Sequence, residues 1–141
     1  METFTWGPHF DVGDDKINRE HQKLIAMMRN LAQLCKKSVP KQQVLFAYDA
    51  LIQFTEEHFA DEEELMAELN YPDLENHKKI HQQLLDNLYK YREELVVSVY
   101  GVLPSSVFDF FQNWLMTHIL IVDQKYGAVL KEKKKTPSKE N

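Results

Sequence analysis

Four stretches of about 25 residues each carry apolar side chains at alternating three- and four-residue steps, and the breaks between them are only a few residues long. The first runs from about Asp15 to Lys37 through Ile17, Leu24, Met28, Leu31 and Leu34. Asp14 and Asp15 stand where an N-cap and a first-turn acid favour a helix start. Ser38-Val39-Pro40 breaks the pattern, and the second stretch spans about Lys41 to Leu69 with Leu51, Thr55, Leu65 and Leu69 on one side. Asn70-Tyr71-Pro72 forms a corner before the third, about Pro72 to Val97, marked by Leu74, Leu84, Leu88, Tyr91 and Leu95. After Tyr100 to Ser105 the fourth runs from about Ser105 to Leu130. Helices of that length joined by loops that short must run antiparallel. The expectation is therefore an all-α fold, an antiparallel up-down-up-down four-helix bundle. With 4 Gly and 5 Pro, the chain has little punctuation for the many turns of a β fold. We expect one domain over residues 1–141, with the bundle at about 15–130 and a frayed charged tail at 131–141. The segment Met1 to Gly13, with Phe4, Trp6, Phe10 and Val12, is too apolar for a loose arm and should pack on the bundle as an N-terminal loop.

Polar residues interrupt these apolar stripes at core positions. His21 falls between Ile17 and Leu24 on the inward face of the first helix. His58 and Glu62 continue the second stripe, His77 and His81 complete the third, and His118 follows Val107, Phe111 and Trp114 on the fourth. Five of the 6 histidines thus point inward together with a carboxylate. Buried without partners, such a set would cost on the order of 7–20 kcal/mol. That rivals a whole folding stability of about 5–15 kcal/mol. A lone core histidine is ordinarily a structural one; five on four facing helices call for a hydrogen-bond network or a cation.

His77 and His81 lie four apart, so both imidazoles leave one helix face about 6 Å apart along the axis, and His58 with Glu62 repeats that spacing. No glutamate follows His77 directly, which excludes the zinc-protease helix pattern. Five imidazoles exceed the needs of one tetrahedral zinc and suit two metals sharing carboxylates. Imidazole and carboxylate without thiolate favour iron over copper or zinc. A second shared carboxylate is harder to find. Asp123 is five residues past His118, about 140° around a regular helix. The two could reach neighbouring metals, or a local π-type widening could bring them together. Periodicity alone reads Asp123 as a solvent-facing acid.

His21, His58-Phe59-Ala60-Asp61-Glu62, His77-Lys78-Lys79-Ile80-His81 and His118-Ile119-Leu120-Ile121-Val122-Asp123 together resemble the ligand set of the hemerythrin family, and most closely its bacterial branch. Trp6, Val12-Gly13, Tyr71-Pro72 and Trp114-Leu115 agree, so the resemblance covers about Phe4 to Leu130. One departure is Asn18, where the family often carries an aspartate. The resemblance implies two non-haem iron ions with an oxo or hydroxo bridge, and dioxygen as a reversibly bound ligand. It places His77, His81 and His118 on one iron and His21 and His58 on the other, which keeps an open position. Glu62 and Asp123 bridge the pair. It further implies an apolar oxygen pocket lined by Phe59, Trp114, Leu115 and Ile119. Tyr126, one turn past Asp123, is by its position a candidate neighbour of the centre.

The remaining features read plainly. A net charge of -5 gives no basic footprint for nucleic acid. No apolar run reaches the roughly 18 residues of a transmembrane segment, and no secretory leader is visible. The single cysteine, Cys35, suits a reducing compartment, which places the protein in the cytoplasm, and reads as an inert boundary residue. Asp61, Glu63 and Glu64 read as the solvated side of the second helix, and His9 as a bystander. Lys131 to Lys135 reads as a solvent-exposed run. The expected role is an oxygen carrier, store or delivery protein rather than an enzyme, since no acid–base apparatus accompanies the ligands. As a monomer it would serve an oxygen-consuming enzyme or membrane oxidase. The alternatives are an oxygen or redox sensor and di-iron redox activity on peroxide or nitric oxide.

Overall fold

The computed structural model describes residues 8–99 and 103–135. A short 3-10 turn, Pro8–Phe10, precedes α1 (Asp15–Lys36), α2 (Lys41–Glu68), α3 (Leu74–Val97), α4 (Ser105–Thr117), a π-helical turn (His118–Val122) and α5 (Asp123–Lys135). The last three run on without a break, so four helical rods form the expected bundle. Phe4, Trp6 and the Tyr100–Val102 part of the third connection lie outside the described residues, as does the side chain of His9.

Local chemistry sets the rod ends. The Asp14 carboxylate accepts from the Ile17 backbone N–H at 3.0 Å, capping α1 as its position predicts. Pro40 stands at the N-cap of α2. Ser38 and Asn70 take positive φ values of 57° and 55°, the left-handed step that ends a helix and turns the chain back. At the far end of α3 the Lys41 ammonium donates to the carbonyls of Val96 and Ser98 at 2.6 and 3.0 Å, tying the start of α2 to the exposed carbonyls there.

The core is divided. A larger apolar cluster fills the end of the bundle holding Met28, Leu31, Val44, Tyr48, Leu88, Leu95 and Phe108. A smaller one at the other end gathers Val12, Ile17, Met66, Leu69, Tyr126 and Leu130. The polar residues of the stripes form a layer between them. The N-terminal strap packs as expected where it is described, with Phe10 and Val12 both buried. Gly127 makes room for it: a Cβ there would sit 2.9 Å from the Val12 carbonyl oxygen. Asn18 preserves the strap's anchor. Its Oδ1 accepts from the Val12 N–H at 3.1 Å while its amide donates to Asp11 Oδ1 at 2.7 Å, a donation an aspartate could not make.

One expectation is corrected at the C-terminus. Helix continues to Lys135 instead of fraying after Leu130. Lys131 donates to the Asp11 carbonyl at 2.7 Å and Lys133 to the Leu69 carbonyl at 3.4 Å, so this stretch is clasped to the strap and to the end of α2.

Candidate metal centre

Seven side chains meet in the layer between the two clusters. His21 from α1, His58 and Glu62 from α2, His77 and His81 from α3, and His118 and Asp123 from the fourth rod are each at most 3% exposed. Regular α geometry accounts for every one but Asp123. There the π turn intervenes: the Asp123 N–H donates to the carbonyl of His118, five residues back. Gln124 covers a neighbouring carbonyl, its amide donating to Ile119 at 3.2 Å. One wider turn thus brings Asp123 Oδ1 to 2.9 Å from His118 Nε2. Of the two arrangements open from the sequence, the π-type widening is the one adopted.

The imidazoles present Nε2 inward, and the carboxylates stand between them. Glu62 Oε1 lies 3.2 Å from His81 Nε2 and 3.4 Å from His58 Nε2, while its Oε2 lies 3.1 Å from His21 Nε2. Asp123 Oδ1 is 3.1 Å from His77 Nε2, and its Oδ2 is 3.1 Å from His21 Nε2. Of these approaches, His21 with Glu62 Oε2 has hydrogen-bond geometry; the others are close but poorly aimed. Glu62 Oε1, His77 Nε2 and both Asp123 oxygens are buried without a partner in hydrogen-bond geometry. The Nε2 atoms of His81 and His118 face each other at 3.2 Å. Buried polar atoms are ordinarily satisfied, and donors that converge on common points instead of on each other fit cations. Two overlapping sets have that reach: Glu62, His77, His81, His118 and Asp123, and His21, His58 and Glu62, with ligand atoms in each lying within 4.8 Å of one another. Glu62 belongs to both, so the set suits a metal pair.

Charge in the layer is strongly biased. Burial and the Asp123 charge both push Glu62 upward, but His58, His21 and His81 outweigh them and hold it well below the usual carboxylate range. Burial likewise opposes ionisation of Asp123, yet His118, His21 and His77 keep it well below its ordinary value. Burial alone would make His21 and His81 poor bases. Asp123 and Glu62 reverse that for His21, and Glu62 and Glu63 for His81, raising each to about 9. His118 moves the other way, because burial exceeds what Asp123 returns.

Three further residues orient this layer from outside. His58 Nδ1 lies 2.7 Å from Glu20 Oε1, and His81 Nδ1 lies 2.9 Å from Glu63 Oε2. Each carboxylate accepts the outer N–H and so fixes which nitrogen faces inward. The Tyr126 hydroxyl, fully buried, donates to Glu62 Oε2 at 2.6 Å. Tyr126 meets its expectation. Glu63 corrects one, since it is a half-buried partner of His81 and not part of a solvated face. Asp61 is also half-buried and pairs with Lys16 at 3.4 Å, whereas Glu64 is exposed as expected. Glu20 was not legible: a glutamate beside a core histidine looks like any exposed acid until α2 is laid against α1.

On the side of the larger cluster, Phe59, Trp114, Leu115 and Ile119 line an apolar cavity that also touches His21, His58 and His118. Two of these rings lie flat on imidazoles. Phe59 stacks on His81 at 3.7 Å between centroids and 2° between planes, and Trp114 on His118 at 4.4 Å and 11°. A Thr55 hydroxyl lines the same cavity but donates to the Leu51 carbonyl at 2.7 Å, which takes its polarity out of the space.

The model of the hemerythrin HHE cation-binding domain matches residues 12–130. The chain belongs to the hemerythrin family. A bacteriohemerythrin of Stenotrophomonas maltophilia is 29% identical over 93% of this chain and 84% of its own. A myohemerythrin of Theromyzon tessulatum is 29% identical over 92% and 95%, and a hemerythrin-like protein of Naegleria gruberi 30% over 90% and 93%. A hemerythrin crystal structure superposes with a TM-score of 0.81 at 24% identity, covering 92% of this chain and 98% of that one, which establishes the shared fold. As a hemerythrin, the chain carries a histidine and carboxylate cluster fit for a di-iron pair and for oxygen binding. No helix among its described residues is long and apolar enough to cross a membrane.

Proposed function

We propose that the protein is a single hemerythrin domain that carries, stores or delivers dioxygen, bound reversibly at a pair of non-haem irons. The observation that carries this reading is the convergence of seven buried donors into two sets joined by Glu62. In this reading His77, His81 and His118 hold one iron, His21 and His58 the other, and Glu62 and Asp123 span both. The iron pair, when bound, supplies the electrons with which dioxygen is held and released. What the chain supplies is position and dryness. Glu20 and Glu63 keep His58 and His81 in the tautomer that offers Nε2. Tyr126 holds Glu62 in place from the far side. Phe59, Trp114, Leu115 and Ile119 line the ligand's seat and keep water, and with it protons, away. Among the described cavity residues no further acid or base stands ready for a substrate, which favours binding over turnover.

The natural outlet is an oxygen-consuming enzyme or membrane oxidase. The test is an optical titration of the reduced, iron-loaded protein with dioxygen. A spectrum that forms on oxygenation, reverses on removing the gas and decays slowly supports carriage. Immediate, irreversible oxidation would refute it and favour redox sensing.

A further inference from the structure

The cavity beside the metal layer is longer than a diatomic ligand needs. Its far residues are Met28, Leu51, Leu88 and Phe111. Each lies seven residues from the histidine of its own rod (His21, His58, His81 and His118), and in all four cases toward the same end of the bundle. Seven residues are two helical turns, about 10.5 Å of rise. The space between is narrow, about 20 Å³ in all, room for one small molecule at a time. Its walls are aliphatic and aromatic, with the Thr55 hydroxyl already committed to Leu51.

A second opening lies farther along in the same direction. A surface cleft of about 210 Å³ is lined by Ala32, Cys35, Lys36, Leu103, Phe108 and Asp109, among others. Ala32 is one turn beyond Met28 on α1, and Phe108 one turn beyond Phe111 on α4. Phe111 lines the cavity and Phe108 the cleft, and their rings meet edge to face with centroids 6.5 Å apart. The Tyr91 ring also meets Phe111 edge to face, at 5.8 Å.

We infer that cleft and cavity are a single interrupted path along the bundle axis, with Phe108 and Phe111 as its door. Through it a small uncharged diatomic reaches the metal layer from the end of the bundle where α4 begins. The ligand class follows from the walls: the passage offers nothing to an ion and too little width to an organic molecule. Its identification with dioxygen rests on the function proposed above. A door changes how fast a ligand arrives and leaves in equal measure, because it touches neither end state.

The test uses stopped-flow association and dissociation of dioxygen with the reduced, iron-loaded protein. Three samples are compared: the wild type, Phe108→Ala, and the wild type carrying a bulky maleimide on Cys35, the chain's one cysteine, at the cleft. In Phe108→Ala both rate constants should rise about fivefold, and in the labelled protein both should fall about fivefold, a barrier change of about 1 kcal/mol. Their ratio should hold. Unchanged rates in the labelled protein, or a changed ratio, overturn the path. Crystals of the iron-loaded protein under krypton provide a measurement that needs neither a variant nor dioxygen. A krypton atom between the metal layer and Phe111 supports the path, and its absence overturns it. Krypton in the cavity of a protein that fails to hold dioxygen would sink the proposed function and leave the apolar path standing.

Discussion

Single atoms decide whether the layer is a metal site or an unsatisfied core. Tyr126 is the clearest case, because its hydroxyl donates to Glu62 Oε2 and the side chain is wholly shielded from solvent. Burial and the charges of Glu62 and Asp123 push the phenol well above its ordinary value, so it remains a donor at any working pH. Tyr126→Phe should cost about 1.5–3 kcal/mol, the usual worth of a hydrogen bond to an ionised group, read as a lower urea midpoint at unchanged slope. Glu20 and Glu63 act on affinity instead. Glu63→Ala should weaken metal binding by about 10- to 100-fold, measured by competition with a chelator, because His81 then loses the acceptor that fixes its tautomer. A Glu63→Gln variant should recover part of that, since its amide oxygen still accepts. The sequence disclosed these residues unevenly, and for physical reasons. Histidines at core positions are conspicuous because apolar spacing assigns them a direction. Glu63 follows Glu62 at 100° around the helix, where spacing points it outward, and only the His81 ring arriving from α3 gives it a role.

At the scale of whole elements the sequence was most informative about the rods and least about where they depart from regularity. Three-and-four spacing located α1 to α3 within a few residues, because each rod buries one face. The π turn has no such signature. The run His118-Ile119-Leu120-Ile121-Val122 reads as ordinary apolar helix, and the wider turn exists to set Asp123 beside His118 while sending Ile121 outward, 58% exposed. The helical extension to Lys135 was hidden for a different reason. A lysine-rich end looks frayed in isolation, but Lys131 and Lys133 find carbonyls on the strap and on the end of α2. Strap and α5 also meet at Gly127, and there the sign of a substitution can be argued. Replacing an interior helix glycine by alanine ordinarily gains about 1 kcal/mol. Here the new Cβ would stand 2.9 Å from a backbone oxygen, which a side-chain rotation cannot relieve. Crowding of that kind costs about 1–3 kcal/mol. Gly127→Ala should therefore bring no gain in thermal midpoint and should speed proteolysis within residues 8–13 as the strap lifts.

Taken whole, the molecule is a bundle whose middle layer is stable only if its charges are answered, and the answer can be protons or metal. Without metal, His21 and His81 keep protons up to about 9 against an unfolded value of 6.5. A histidine raised in this way contributes its full stabilisation below about pH 6.5 and loses it as pH climbs through 9. Glu62 and Asp123 are held down, so their contribution fails only as pH falls below the ordinary carboxylate range. The lowered His118 opposes folding only below 6.5, where its unfolded counterpart takes a proton. Between 6.5 and 9 the two raised histidines therefore set the trend, and the melting temperature of the stripped protein should fall steadily across that window. Metal requires neutral imidazole, so loading must expel those protons, about two per molecule near neutral pH. Calorimetry of iron binding in buffers of different ionisation enthalpy would count them. Iron-loaded protein should melt well above the stripped form and show no decline from pH 6.5 to 9. A stripped protein that melted at the loaded temperature, or a loaded one that lost stability over the same window, would mean that hydrogen bonds among the side chains already satisfy the layer, and that the cost of burying seven polar residues is not what calls the metal in.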